Sequence, residues 1–331
     1  MPRNSLVLAA ALAASLAAGV AAADAISVSG LRHTVDKSYR RMMEGAALFE
    51  RLHALAPEAS LRYRLLPRKA GTSLRGIELA VIGDSFEFPV AIASDDTFAL
   101  ERNDQAMRED ASVRPNRRVD SMTWRADVRT PGLPAGVRRL GDLRLECKVG
   151  MRAGLVSHYP SVIGWLLGSS GDDPAVCDSP ESPYLFFADR PIFGVVLESA
   201  GRRQALSVRR LYAGIAAGET PKEDLPYCDC EALLDRAYEL PLGDASWPDD
   251  ARVELQYMDS PGGEPAMKGW SKRAVHEAIG TAGRVMRFES GYEVWVYTFG
   301  DTKGGRPGTE LVLLFDRSGT LSADRLRPAR A

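Results

Sequence analysis

Histidine is scarce in this chain of 331 residues: His33, His53, His158 and His276 are the whole supply, and they do not cluster. A histidine-rich metal centre is therefore excluded, and no His-Glu-x-x-His pair is present to hold zinc. No glycine-rich phosphate loop and no calcium-loop pattern occurs either. The sequence accordingly assigns no catalytic residue, no cofactor and no metal ligand. An excess of positive charge is also missing. The formal net charge is −2, and the basic pairs 117–118, 138–139, 202–203 and 209–210 are scattered among acids. Nothing draws such a chain to nucleic acid, and those pairs read as solvated faces and hairpin edges. Long apolar runs are absent beyond the first twenty residues, so no further segment is long enough to span a bilayer.

The first residues are a leader. Arg3 supplies a positive start, residues 6–20 an apolar stretch, and Ala21, Ala22 and Ala23 a small-residue cleavage site. Cleavage before Asp24 removes Arg3 and no acid, which moves the net charge from −2 to −3. No cysteine lies at the cleavage site to take a lipid. The expected mature protein is periplasmic or secreted, with no transmembrane segment. Four cysteines enter that oxidising compartment: Cys147, Cys177, Cys228 and Cys230. Two disulfides are expected, and a four-cysteine zinc site is the rival reading, although the spacing lacks the paired two-residue gaps of zinc ribbons. A bridge between Cys228 and Cys230 closes a very tight ring, so each is expected to take Cys147 or Cys177 as its partner.

Residues 35–55 carry a helical stripe, with Tyr39, Met42, Met43, Ala46, Phe49, Leu52 and Leu55 at spacings of three and four. The period then falls to two. Leu61, Tyr63 and Leu65 alternate with Arg62 and Arg64; Trp124, Ala126 and Val128 alternate with Arg125, Asp127 and Arg129. Leu143, Leu145, Cys147 and Val149 alternate with acids and bases and read as the cleanest strand of all. Short alternating strands between polar loops predict a mainly β, α+β protein with antiparallel sandwich regions. The expected division is a leader (1–23), an N-terminal helix with an antiparallel β domain (24–150), a long loop (151–183), a second β region (184–262) and a small C-terminal α+β module (263–331).

Val81, Ile82, Gly83, Asp84 and Ser85 form an apolar strand followed by Gly-Asp-Ser, the way esterases of the SGNH type present their nucleophile. None of the four histidines has an aspartate three residues before it, and the glycine of the oxyanion block is missing at 102–104. A serine without a base is a weak nucleophile, so Ser85 is expected to be structural. The acidic pairs 95–96, 172–173 and 249–250 read as turns, where Asp bonds its own backbone.

The C-terminal region is the most patterned. Ser271 is placed to cap a short helix whose apolar face holds Val275 and Ile279, and Gly280 to end it. Residues 292–299 follow as a strand with bulk on both faces, Trp295 and Tyr297 on one and Val294 and Val296 on the other. Residues 311–315 make a second strand, closed by a turn at 316–319. In order and spacing this resembles the small outer-membrane-assembly lipoproteins of the BamE (SmpA/OmlA) type and the wider β-lactamase-inhibitor-like fold. The resemblance implies a non-catalytic binding or assembly module of the bacterial envelope. Its partner would be an envelope protein or a cell-wall component, met through Trp270, Trp295 and Tyr297. A glycan- or peptidoglycan-binding accessory protein is the alternative, and an uncharacterised hydrolase built on Ser85 the third reading.

Overall fold

The computed structural model describes residues 36–117, 121–155, 173–180, 184–217, 233–263, 265–300 and 308–329. The expected leader and both Cys228 and Cys230 lie outside these residues. The described strands, in chain order, are β1 (Lys37–Ser38), β2 (Ser60–Pro67), β3 (Leu79–Ile82), β4 (Glu87–Val90), β5 (Thr97–Phe98), β6 (Ser112–Pro115), β7 (Met122–Arg129) and β8 (Val137–Arg139). They continue as β9 (Phe186–Phe187), β10 (Ile192–Ser199), β11 (Arg202–Ala205), β12 (Ala237–Tyr238), β13 (Arg252–Tyr257), β14 (Arg284–Arg287), β15 (Glu293–Phe299), β16 (Thr309–Phe315) and β17 (Leu321–Pro328). The helices are α1 (Tyr39–Arg51), α2 (Asp104–Arg108), α3 (Leu140–Arg152) and α4 (Lys272–Ile279). The described protein is mainly β, and its strand pairs are antiparallel. Among the described residues no helix is long and apolar enough to cross a membrane.

Two cores lie on either side of α3. The first is closed by the sheets β1-β6-β3-β4 and β5-β2-β7 together with α1. The stripe read from the sequence does bury Tyr39, Met42, Met43 and Phe49, and Ser38 caps the helix by accepting from the Arg41 N–H. The second core is shared by the sheet β11-β10-β13-β8 and one face of β14-β15-β16-β17. The middle β region and the C-terminal sheet therefore bury their apolar faces together, within one unit spanning His33–Ala331.

Residues 140–152 form a helix, not the expected strand. On a helix, positions two apart point to nearly opposite sides, whereas positions four apart share one. Leu143, Cys147 and Met151 thus face the second core, and Leu145, Val149 and Ala153 face the first. A helix buried on both flanks shows the alternation that usually marks a strand. The approach to α1 is close: a Cβ on Gly45 would come within 2.8 Å of the Ala153 Cβ.

The α3 helix is also tied covalently. Cys147 is bonded to Cys177 across 30 residues, with the Cα atoms 6.0 Å apart. This overturns the expected pairing, because neither cysteine is left for Cys228 or Cys230. The two cysteines occupy the same buried cluster, which brings them together irrespective of the spacing in sequence. The stretch 173–180, expected as loop, holds a 3-10 turn at Pro174–Asp178.

Candidate functional site

One face of β7 enters the first core through Trp124, Ala126 and Val128, as the alternation requires. Its other face carries Arg125, Asp127 and Arg129, and this polar face is covered rather than solvated. Asp127 is the hub. Its Oδ2 accepts from Arg64 Nε and Nη2 at 3.1 and 2.9 Å, and its Oδ1 from Arg129 Nε at 2.7 Å. Burial pushes this carboxyl up, but Arg129, Arg138 and Arg64 outweigh it and hold the group below the usual carboxylate range. Arg129 then turns its fork on Asp189, donating from Nη2 and Nη1 at 2.9 and 3.2 Å. Two parallel charge-assisted bonds fix that pair in geometry as well as energy.

A second ion pair lies deeper. Arg138 Nη2 donates to Glu146 Oε2 and to the Val128 carbonyl, both at 2.7 Å, and Glu146 Oε2 also accepts from the Val128 N–H at 3.0 Å. Arg138 is 5% exposed, so the pair 138–139 is not the solvated face expected from the sequence. Strand β8 turns Arg138 inward while Arg139 remains half-buried. One helical turn earlier on the same side of α3, Asp142 accepts from the Thr130 N–H and hydroxyl at 2.9 and 2.8 Å. The i, i+4 spacing of Asp142 and Glu146 makes α3 the acidic wall against which the β7–β8 connection is fastened.

This charged layer opens into two recesses that meet at Asp189. One, of about 330 Å³, lies beneath the loop 130–136, with Arg129, Arg138, Arg190 and Tyr257 on its walls. There the Arg190 guanidinium lies 4.0 Å over the Tyr257 ring and is paired with Asp259. The other, of about 520 Å³, is lined by Arg64, Arg75 and Arg236 with Thr72, Ser73 and Ser94. Sequence reasoning missed both. The available signal was the density of arginines at 62, 64, 125 and 129, but alternation alone does not say whether a polar face meets water or another element.

The residues singled out from the sequence fall elsewhere. Ser85 sits in an exposed turn, and its hydroxyl donates to Glu109 Oε1 at 2.6 Å while its N–H donates to Oε2 at 2.9 Å. Gln105 donates to both partners. These bonds hold the Glu109 carboxyl down at about 2. Ser85 therefore fastens the turn to α2 through a carboxylate. His53 bonds the Ala59 carbonyl at 2.9 Å, and His276 is exposed on α4. Asp95 accepts from the Thr97 hydroxyl and N–H, the self-bonded turn its composition predicts. Among the described residues no group of His, Cys, Asp and Glu is arranged to hold a metal ion.

Trp270, Trp295 and Tyr297 do not form one exposed set. Tyr297 is 5% exposed. It lies under α4 and donates to the Gly280 carbonyl at 3.1 Å. Trp295 is half-buried, its ring centroid 4.8 Å from that of Phe315 with the two rings tilted, and its Nε1 donates to Glu293 Oε1 at 2.6 Å. Trp270 alone of the three is exposed, at 38%. The sequence placed the two strand aromatics on one face, which is right, but α4 covers that face through Val275 and Ile279. What α4 leaves open is the far end of the sheet. Phe299 is 48% and Leu326 70% exposed, and Val285 on the edge strand 38%. The ladder puts all three on the α4 side: Val285 opposite Trp295, Leu326 opposite Leu311, and Phe299 two residues beyond Tyr297.

Comparison with models of known families, with curated proteins and with solved structures finds no match for this chain.

Proposed function

We propose that this protein is an exported, non-catalytic binding protein of the bacterial cell envelope whose partner is another protein, docked on its C-terminal sheet. The observation that carries the reading is the premature end of α4. The helix stops at Gly280 while the sheet runs on, so Phe299, Leu326 and Val285 project from a face whose other apolar residues are covered. The four large apolar side chains that stand exposed among the described residues, Trp270 included, all belong to this region. Uncovered apolar residues gathered on one face are a mark of protein contact. The resemblance of this region to the BamE-type modules supports the same reading. The leader expected from the sequence and the Cys147–Cys177 bridge support export to an oxidising compartment.

A glycan-binding accessory protein would instead use a line of exposed aromatics. Trp270 and Phe299 lie at opposite ends of the sheet, with Trp295 and Tyr297 covered between them, and this favours the protein partner. The test is cross-linking in the intact envelope, comparing the parent with Phe299→Asp and Leu326→Asp. Both sites are exposed, so both variants are expected to melt as the parent does. The cross-linked species should disappear in each. Its persistence in both variants would refute a docking role for this face.

A further inference from the structure

The recess of about 520 Å³ between Arg64 and Arg236 lies outside the C-terminal sheet and has a chemistry of its own. Its walls carry three guanidinium groups and three hydroxyls, from Thr72, Ser73 and Ser94, against the carboxylates of Asp96 and Asp189. The guanidinium groups are not equivalent. Arg64 is neutralised by Asp127 at 2.9 Å. Arg236 is not matched in this way. Its Nη1 donates to the backbone carbonyl of Asp189 at 2.8 Å, and its Nε is buried with no acceptor. No described carboxylate lies within ion-pair distance of it; burial lowers its affinity for the proton it carries, and the more distant charges of Asp235 and Asp189 only partly oppose this. Arg75, exposed on the loop between β2 and β3, likewise makes no ion pair among the described residues. The Asp189 carboxylate, which accepts from Arg129 through both oxygens, does not come within ion-pair distance of Arg236.

We propose that this recess binds a small dianion, phosphate or dicarboxylate, between Arg75 and Arg236, with the hydroxyls of the rim as further donors. The Arg236 Nε is closed off from the recess, but its Nη2 makes no hydrogen bond among the described residues, and a half-buried guanidinium is a costly arrangement unless an anion completes it. The planar fork of donors matches the paired oxygens of a carboxylate or a phosphoryl group. Arg129 keeps the Asp189 carboxylate occupied, which lowers the repulsion that an incoming anion would meet on that wall.

Isothermal titration of the full chain at low ionic strength tests this, with inorganic phosphate in one arm and succinate in another. Sodium chloride at matched ionic strength is the control. At least one arm should saturate at a single site. Arg75→Gln and Arg236→Gln should each weaken that binding by about tenfold or more, since each removes a charge-assisted contact. Arg190→Gln, whose charge is taken by Asp259 outside this recess, should bind as the parent does. Tighter phosphate binding would assign a phosphoryl ligand, and tighter succinate binding a dicarboxylate. Heats that sodium chloride reproduces would overturn the proposal. So would parental affinity in Arg75→Gln, an exposed position whose variant is checked for folding by circular dichroism. Phe299→Asp should leave the titration unchanged, so this site and the sheet face can fail independently.

Discussion

Gly280 is the sharpest place to test how the C-terminal helix is ended. Its backbone lies at φ 94° and ψ −161°. This is not the left-handed helical well that Asn tolerates; it is the region at positive φ and extended ψ that glycine alone occupies freely. A Cβ built there meets nothing within 4 Å. The cost of a side chain is therefore backbone strain, with no steric term from neighbours. That strain is about 1–3 kcal/mol. Losing glycine's freedom in the unfolded chain returns about 0.4–1 kcal/mol. Gly280→Ala should thus destabilise by about 1–2 kcal/mol, and Gly280→Val by about 2–3 kcal/mol because a β-branched residue is worse at positive φ. For a chain of this size each kcal/mol lowers the melting temperature by about 2–4 °C. The Gly280 N–H closes the helix on the His276 carbonyl at 2.8 Å, and its own carbonyl holds the Tyr297 hydroxyl. Strain at this residue therefore loosens α4 from β15. Melting curves of the Ala, Asn and Val variants decide the matter. If Gly280→Asn is as stable as the parent, the residue sits in the left-handed helical well and the argument for this geometry fails.

Replacing Cys147 and Cys177 together by alanine should cost about 3.6 kcal/mol in the chain-entropy model for a closed loop of 30 residues. Urea denaturation measures it, and a loss below about 1 kcal/mol would mean that the bridge does not constrain the unfolded chain. Glu239 gives a pH dependence of opposite sign to most carboxylates. Burial pushes it up to about 7, against the opposing charge of Arg210. The folded protein then holds a proton that the unfolded chain releases near its ordinary value, so stability falls as pH rises from about 4.5 to about 7. A shift of that size corresponds to about 3 kcal/mol at most, and Glu239→Gln should recover it above pH 7 while changing little at pH 4. Equal stability curves for the two proteins across that window would sink the assignment.

Much of this fold is carried by local signals. Caps are local, so Ser271 and Gly280 mark helix ends that the structure keeps. Alternation is local too, and it separates the two faces of β7 and of β15 correctly. What covers each face is not local. The polar face of β7 contains as much charge as a solvated face would, yet Asp127 is 6% and Arg125 5% exposed, because arginines from β2 and β8 and the segment around Asp189 close over it. The same limit applies to Trp295 and Tyr297. Their pairing on one face was readable, but the position of α4 above them depends on where the chain returns after β13.

The helix α3 shows why period alone fails. A strand and a helix with two apolar flanks both place hydrophobic residues at every second position for a few turns. Length discriminates them, and here the alternation of 143, 145, 147 and 149 is too short to do so. The decisive residues are the intervening ones. In a strand, Asp142 and Glu146 would face solvent with Arg144 and Lys148. On the helix, Asp142 and Glu146 form a separate stripe that caps Thr130 and holds Arg138, while Arg144 reaches round to Asp249. A buried acid must be paired or hydrogen-bonded to be tolerated, so these two acids require partners from β7 and β8. Those partners exist only if α3 stands between the two cores. The charged layer and the two-sided helix are therefore one structural solution: Glu146 of α3 anchors Arg138 and Asp142 fastens Thr130 at the smaller recess, and the apolar flanks of α3 hold the cores on either side.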